Sequence, residues 1–142
     1  MKYRSVILDT SALIAFVRKQ DRYHSWAVKA WQNIIPPMLT CESVISEVCF
    51  LLRNETIGLE AVFDMLKSNV IDVSFSFNEE VTNVHSLMSR YNSVPMSFAD
   101  ACLVRMSELV VGSSIITLDS DFRIYRQHRD REIPVIMPNR LT

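Results

Sequence analysis

VILDTSALIAF, residues 6–16, is the stretch that decides the fold of this chain. It begins with an apolar run typical of a buried strand, and the run stops at a carboxylate, Asp9. Two hydroxyl residues follow, Thr10 and Ser11, and an apolar segment of helical length comes next. We expect Ser11 to cap this helix. A strand that leads directly into a helix predicts a β–α unit of a parallel sheet.

The rest of the chain alternates short apolar strands with helices in the same way. We predict strands at 3–8, 38–40, 70–73, 114–118 and 133–137, and helices at 11–18, 22–34, 40–53, 59–69, 79–91 and 95–111. Residues 120–128 are expected to form a short helix or turn. No repeat or linker interrupts the sequence, so we expect a single domain over 1–142. This alternation predicts an α/β fold with a mainly parallel sheet, whose ligands bind beyond the carboxyl ends of the strands.

Composition narrows the range of functions. The chain has only two glycines, Gly58 and Gly112, which excludes a P-loop and the GxGxxG dinucleotide motif. Any phosphate chemistry must then use side chains or a metal ion. The formal net charge of −1 predicts no overall basic field, and no apolar stretch reaches the roughly 18 residues that span a membrane. Three cysteines without a CxxC pair favour reduced thiols and a cytoplasmic location.

Four acidic residues lie where a chain rarely places charge. Asp9 and Asp119 each follow an apolar strand. Glu47 falls within the apolar stripe of helix 40–53, and Asp100 shares a helix face with small and apolar residues. Burial of an unpaired carboxylate is costly, so each position needs a reason.

Each acid also has a purely structural interpretation. Glu47 would pair with an arginine or lie at the edge of its stripe. Ser97-x-x-Asp100 has the pattern of a capping box. Either Asp119 or Asp121 would cap the short helix that follows. In a doubly wound sheet, however, all four acids can meet at one edge: Asp9, Glu47, Asp100 and Asp119. Like charges about 4 Å apart repel by roughly 4 kcal/mol at an effective dielectric near 20, and Mg²⁺ or Mn²⁺ would relieve that repulsion.

The same segments together resemble the PIN domain family of metal-dependent ribonucleases, which includes the VapC-type toxins of toxin–antitoxin pairs. The resemblance covers essentially the whole chain. It rests on VILDTSALIA at 6–15, SEV at 46–48, SFADACLV at 97–104 and IITLDSDF at 115–122, with DRYH at 21–24 as a weaker match. It implies a three-layer α/β/α sandwich on a mainly parallel central sheet, and hydrolysis of RNA phosphodiester bonds.

The resemblance also implies roles for individual residues. The catalytic quartet, which would bind one or two Mg²⁺ or Mn²⁺ ions, would be Asp9, Glu47, Asp100 and Asp119. Asp121 would be an auxiliary metal ligand. The residues that would orient the acids or contact a phosphate are Thr10, Ser11 and Thr117.

RNA must also be held beside this acidic site. Two groups of cations follow the acids closely in sequence and are expected to rim the site and bind RNA: Arg18, Lys19 and Arg22, then Arg123, Arg126, Arg129 and Arg131. Phosphate contacts of this kind make binding strongly salt-dependent. The alternative for each of them is a solvated charged surface.

We therefore predict a Mg²⁺- or Mn²⁺-dependent endoribonuclease, the toxin of a type II toxin–antitoxin pair. The family leads us to expect an RNA substrate, a cognate antitoxin and a homodimer. Two alternatives stay open, a housekeeping PIN ribonuclease in RNA processing and a non-catalytic PIN-like module that binds RNA or assembles partners. A phosphatase with an aspartate nucleophile is disfavoured, because the haloacid-dehalogenase pattern needs a second acid where the chain has Ser11.

Overall fold

The computed structural model describes residues 2–141 and contains seven strands in that range. They are β1 (Val6–Leu8), β2 (Met38–Thr40), β3 (Ile71–Val73), β4 (Ser114–Ile116), β5 (Arg126–Gln127), β6 (Arg131–Glu132) and β7 (Val135–Ile136). Five of them form a central sheet in the order β3-β2-β1-β4-β7, in which every neighbouring pair is parallel. The other two, β5 and β6, pair as an antiparallel hairpin.

Six α-helices flank this sheet within the described residues. They are α1 (Thr10–Val17), α2 (His24–Trp31), α3 (Glu42–Leu51), α4 (Thr56–Lys67), α5 (Val81–Arg90) and α6 (Phe98–Leu109). The predicted α/β/α fold with a parallel sheet is therefore confirmed. No helix in residues 2–141 has both the length and the apolar character that a membrane crossing requires.

The strand order creates a switch point between β1 and β4. From β1 the chain adds β2 and β3 on one side, and it then returns to place β4 on the other side. Leu8 and Ile116 are in register at the carboxyl ends of these two strands. Crevices at such a switch point are the usual ligand sites of open parallel sheets. Asp9 and Asp119 follow these two strand ends, so the topology brings both carboxylates to the same crevice.

The core explains why the strands and α6 are so apolar. All three residues of β1 are fully buried, as are Ile115 and Ile116 of β4. Helix α6 packs against α3, α5 and the sheet, so most of its length is buried. This packing sets the position of Asp100, the acid in the first turn of α6.

Several predicted boundaries are wrong. The helix expected at 59–69 starts at Thr56, so Gly58 lies inside α4 instead of preceding it. The segment 120–128 forms a 3₁₀ turn at Ser120–Arg123 and then enters the β5–β6 hairpin, which the sequence did not indicate. Strands of two residues are too short to show any alternation of apolar and polar side chains.

Candidate active site

A cavity of about 1060 Å³ opens beyond the carboxyl ends of β1 and β4. All four acids of the predicted quartet line this acidic cavity: Asp9, Glu47, Asp100 and Asp119. They come from the β1–α1 junction, from α3, from the first turn of α6 and from the segment after β4. Folding thus collects carboxylates that are far apart in the sequence.

Asp9 is the most enclosed of these acids, with 6% of its surface exposed. Its Oδ1 accepts a 2.7 Å hydrogen bond from the Thr10 backbone N–H, so Asp9 itself is the N-cap of α1. The expectation that Ser11 caps this helix is wrong. An aspartate that ends a strand and caps the next helix is positioned by both elements.

Burial raises the pKa of Asp9 to about 6, because removal from water disfavours the charged form. Hydrogen bonds from Thr117 and Thr10 act in the opposite direction, and the charges of Asp100 and Asp119 raise this pKa further. The pKa of Asp100 is also raised, first by burial, with a contribution from the charge of Asp119. The three aspartates therefore share one electrostatic environment.

Two hydroxyl groups connect Asp9 to the segment after β4. Thr117 Oγ1 donates to Asp9 Oδ2 at 2.6 Å and accepts from the Asp119 N–H at 3.0 Å. Ser11 Oγ donates to the same carboxylate at 3.3 Å and accepts from the Leu118 N–H at 2.9 Å. Each hydroxyl thus contacts both sides of the switch point, and the relative position of Asp9 and Asp119 is set by these bonds.

Glu47 lies at the rim of the acidic cavity and is exposed, so it occupies the edge of the α3 stripe and not its buried centre. Its Oε1 accepts a 2.6 Å hydrogen bond from Thr10 Oγ1. All three hydroxyl residues predicted to orient the acids, Thr10, Ser11 and Thr117, therefore contact a carboxylate of the quartet. Their role in catalysis stays a prediction.

Asp100 is both the acid of a capping box and a carboxylate of the acidic cavity, the two roles that its sequence pattern allowed. Ser97 Oγ accepts from the Asp100 N–H at 3.0 Å, and Asp100 Oδ2 accepts from the Ser97 N–H at 3.1 Å, which completes a capping box. The same Oδ2 accepts from the Tyr125 hydroxyl at 3.2 Å. The capping geometry leaves this carboxylate in the acidic cavity, so it does not compete with a functional role.

Asp119 caps the 3₁₀ turn, because its Oδ1 accepts a 2.9 Å bond from the Asp121 N–H. Asp121 does not line the acidic cavity. The structure therefore keeps the first acid of the DxD pair at the site and places the second outside it. Direct metal binding by Asp121 stays a prediction that this placement does not favour.

The donor set fits a hard divalent cation. The side chains around Asp9 offer carboxylate and hydroxyl oxygens, which Mg²⁺ and Mn²⁺ prefer. The hydrogen bonds described for Asp9 come from neutral N–H and O–H groups, which do not cancel its full negative charge. Within residues 2–141, however, no three acidic, histidine or cysteine side chains converge closely enough to form a ready-made metal site. The quartet thus shares a cavity without being drawn around a common point.

One of the cations predicted to bind RNA lines the acidic cavity, namely Arg22. Arg18 forms an ion pair with Glu55 (Nη2–Oε2 2.6 Å, Nε–Oε1 3.0 Å), and Lys19 lines a separate cavity beside this pair. The expectation that the whole first group rims the acidic site is therefore corrected, because Arg18 and Lys19 lie beyond the end of α1 and face α4.

The second cationic group lies elsewhere. Arg126 donates to backbone carbonyls at the end of the 3₁₀ turn, at 2.7 Å for Arg123 O. Arg123 lines a small cavity beside Glu132, and Arg131 lines another near the start of β4. None of these three arginines lines the acidic cavity. Proximity in sequence to Asp119 did not place them at its cavity: Arg126 and Arg131 belong to the β5–β6 hairpin, and Arg123 ends the 3₁₀ turn beside another cavity. RNA contact at these positions stays a prediction.

The structure adds residues that sequence reasoning did not select. Phe50 and Leu51 line the acidic cavity, together with Asp21 and Tyr23 of the DRYH segment. Phe50 and Leu51 follow Glu47 at the i+3 and i+4 positions of α3, and this spacing was the signal available in the sequence. Side chains at such positions share one helix face, so all three point toward the same cavity.

The fold and this acidic crevice are those of an α/β domain with a carboxylate site at its switch point. A family model described as PIN domain matches residues 6–127, and the chain therefore belongs to the PIN domain family. Curated protein sequences contain no significant match to it.

Among solved structures, the chain is similar to the crystal structure of Mycobacterium tuberculosis VapC20, a toxin that cleaves the sarcin–ricin loop. The TM-score is 0.77 at 22% sequence identity, and the match covers 89% of this chain and 99% of that chain. At this identity the likeness establishes the fold alone, and it extends over nearly the full length of the toxin.

Proposed function

We propose that this protein is a Mg²⁺- or Mn²⁺-dependent endoribonuclease and the toxin of a type II toxin–antitoxin pair. The single observation that carries the proposal is the convergence of Asp9, Glu47, Asp100 and Asp119 on one cavity in a chain of the PIN family. The likeness to a toxin that cleaves the sarcin–ricin loop supports the choice of RNA as substrate and of an antitoxin as partner.

The four carboxylates would hold the metal ion, with Asp9 as the central ligand because it is the most enclosed. The chemistry that such an ion would supply there is a lower pKa for a bound water molecule and neutralisation of charge on the scissile phosphate. The hydroxyls of Thr10, Ser11 and Thr117 keep the carboxylates in place through the bonds described above. Arg22, at the same cavity, supplies positive charge for the RNA backbone.

The direct test is cleavage of labelled RNA with Mn²⁺ or Mg²⁺ and with EDTA. We expect cleavage only with the metal, and its loss in the Asp9→Asn and Asp100→Asn variants. Asp64→Asn is the matched control, because Asp64 is exposed on α4 and does not line the acidic cavity. A circular dichroism spectrum should confirm that each variant stays folded. Full activity in either active-site variant would remove the mechanism.

The toxin assignment has its own test. Expression of the wild-type chain should arrest growth, and co-expression of a protein from the adjacent open reading frame should relieve the arrest. Asp100→Asn should be harmless. A chain that cleaves RNA and leaves growth unaffected would instead be a housekeeping ribonuclease. The proposal also includes a cytoplasmic location and a homodimer, and light scattering would measure the dimer directly.

A further inference from the structure

The acidic cavity has an apolar end that phosphate chemistry does not use. Phe50 is 63% exposed and Leu51 is 45% exposed, and both line the cavity that contains the carboxylates. Ile14 adds a third apolar side chain to the lining. Neither a metal ion nor a phosphate gains from contact with these groups, so they indicate a second, apolar component of the ligand.

Two of these apolar residues lie on the same helix as one of the acids. Glu47, Phe50 and Leu51 share a face of α3 at the i, i+3 and i+4 positions. With a rise of 1.5 Å per residue, Phe50 is displaced by about 4.5 Å along the axis from Glu47. Phe50 is thus just under one helical turn along the axis from Glu47, a predicted metal ligand. A nucleotide likewise holds its base close to its own phosphate.

A cation is stacked on the same ring. The Arg53 guanidinium lies 4.1 Å from the centroid of Phe50, and Arg53 Nη1 donates to the Phe50 carbonyl at 2.7 Å. These contacts orient the ring and cover one of its faces with a positive charge, so a base would stack on the opposite face. An aromatic face combined with a cation is the arrangement that proteins use to bind single-stranded nucleic acids, since the ring stacks on a base and the cation attracts the backbone.

We propose that Phe50 is a stacking platform for one base of the RNA beside the cleaved phosphodiester. This inference rests on the proposed ribonuclease function and deepens it. In a duplex the base faces are covered by their neighbours and the ring cannot reach them, whereas bases of loops and single strands can be splayed onto an aromatic side chain.

The position of the platform favours a nucleic acid over a protein as its occupant. A polynucleotide offers, within one repeating unit, a phosphate that a metal ion held by the carboxylates would bind and a flat base for the apolar side chains. Phe50 lines the same cavity as the four carboxylates. Contact with a second copy of the chain or with another protein is the competing outcome that the experiment must separate.

The test measures binding and cleavage separately on the full-length chain. Binding of a fluorescently labelled, unstructured RNA of mixed sequence is measured in EDTA, beside its duplex with a complementary strand and an abasic RNA of equal length. Phe50→Ala should weaken binding of the unstructured RNA by roughly 5- to 150-fold. Phe50→Trp should restore it, because indole also stacks.

The control is Phe63→Ala, because Phe63 is 40% exposed on α4 and does not line the acidic cavity. It should bind RNA as the wild type does. For duplex RNA and for abasic RNA, the affinity should be low and should be the same for the wild type and for Phe50→Ala. In cleavage with Mn²⁺, Phe50→Ala should raise KM much more than it lowers kcat.

Equal affinity of the wild type and Phe50→Ala for unstructured RNA would overturn the inference. A second result would also overturn it: Phe50→Ala binds RNA as the wild type does, but light scattering gives its assembly a different molecular mass. That result would assign the ring to a contact between proteins. The two proposals fail in different ways. RNA binding that depends on Phe50 without any cleavage would refute the nuclease and leave the platform standing, whereas a wild type that neither binds nor cleaves RNA would refute both.

Discussion

At the scale of single residues, the surroundings of Asp9 act on its pKa in two opposite directions. Asp9 caps α1 and accepts bonds from Thr10, Ser11 and Thr117, which favour its charged form. Its burial beside other carboxylates disfavours that form and outweighs the hydrogen bonds, so its pKa rises to about 6. A buried acid that is hydrogen-bonded and still hard to ionise is suited to a cation, whose charge removes the conflict.

The first prediction is that Asp9 makes the metal-free protein less stable as the pH rises. Its pKa is about 6 in the folded chain against an ordinary 3.8, so the folded state holds the proton more tightly. The resulting stabilisation is complete below about pH 4 and is lost as the pH rises through 6. By the linkage relation the loss is at most about 3 kcal/mol.

Urea unfolding in EDTA at about pH 4 and about pH 7 measures this effect. The free energy of unfolding of Asp9→Asn should change less between the two values than that of the wild type, because the variant lacks the titrating group. Asp64→Asn should follow the wild type. An identical pH dependence in the wild type and Asp9→Asn would show that Asp9 titrates normally.

The second prediction distinguishes Arg18 from Arg22, which were both expected from the sequence to bind RNA. Arg22 lines the acidic cavity, whereas Arg18 lines a separate cavity beside Glu55. Arg22→Ala should therefore weaken RNA binding and reduce its salt dependence by about one phosphate contact, and Arg18→Ala should do so less. Titration of labelled RNA at several salt concentrations measures both slopes. Equal slopes for the two variants would contradict the placement.

At the scale of elements, α6 connects the core to the site. Its buried length fixes its axis, and the capping box at its start fixes the carboxylate of Asp100. Tyr125 adds a constraint, since its single hydroxyl hydrogen is shared between the Asp100 carboxylate and the Pro95 carbonyl. The first turn of a helix is the part most prone to fraying, so these bonds hold the site where the helix is weakest.

The third prediction is that loss of this cap reduces activity as well as stability. Ser97→Ala removes the acceptor for the Asp100 N–H and should lower the free energy of unfolding by about 1 kcal/mol. Cleavage should fall several-fold because Asp100 is less well held, and Ser97→Thr should restore both quantities. Thermal unfolding and the RNA cleavage rate are the measurements.

Ser68→Ala is the control for this change, because Ser68 Oγ also bonds a helix terminus, at Asp64 O, but far from the acidic cavity. It is expected to affect stability alone. If Ser97→Ala lost stability and kept full activity, the capping box would be structural only.

At the scale of the whole molecule, the sheet order decides where the acids meet. β1 and β4 are neighbours although a large part of the chain separates them, and the acids that follow them face one crevice. Helices α3 and α6 close this crevice with Glu47 and Asp100. A cation bound there would connect segments from both halves of the sequence and stabilise the fold as a unit.

The fourth prediction is that Mn²⁺ or Mg²⁺ raises the Tm of the wild type. At a metal concentration of 100 times Kd the stabilisation is about 2.7 kcal/mol. Asp119→Asn should show a much smaller increase, since it removes one of the carboxylates at the switch point, and Asp64→Asn should show the full increase. Differential scanning fluorimetry with and without EDTA is the measurement. No metal-induced rise in the wild type would speak against a resident cation.

Much of the fold and of the candidate site was predictable from local sequence, and the failures have local causes. The strand that ends at Asp9 and the strand before Asp119 were recognised because parallel strands are continuously apolar. Gly58 was misread as a break, although it lies within α4, where an added Cβ would contact the Leu52 side chain. The β5–β6 hairpin was missed because its strands have only two residues each.

The sequence by itself determined which side chains carry charge and which segments must be buried, because these depend on residue type and spacing. Only the tertiary structure decided that Arg22 lies at the acidic cavity and Arg123 does not, and that Phe50 faces the acids. Those positions depend on how elements distant in sequence pack, and hydrophobic burial, which is non-directional, does not specify them residue by residue.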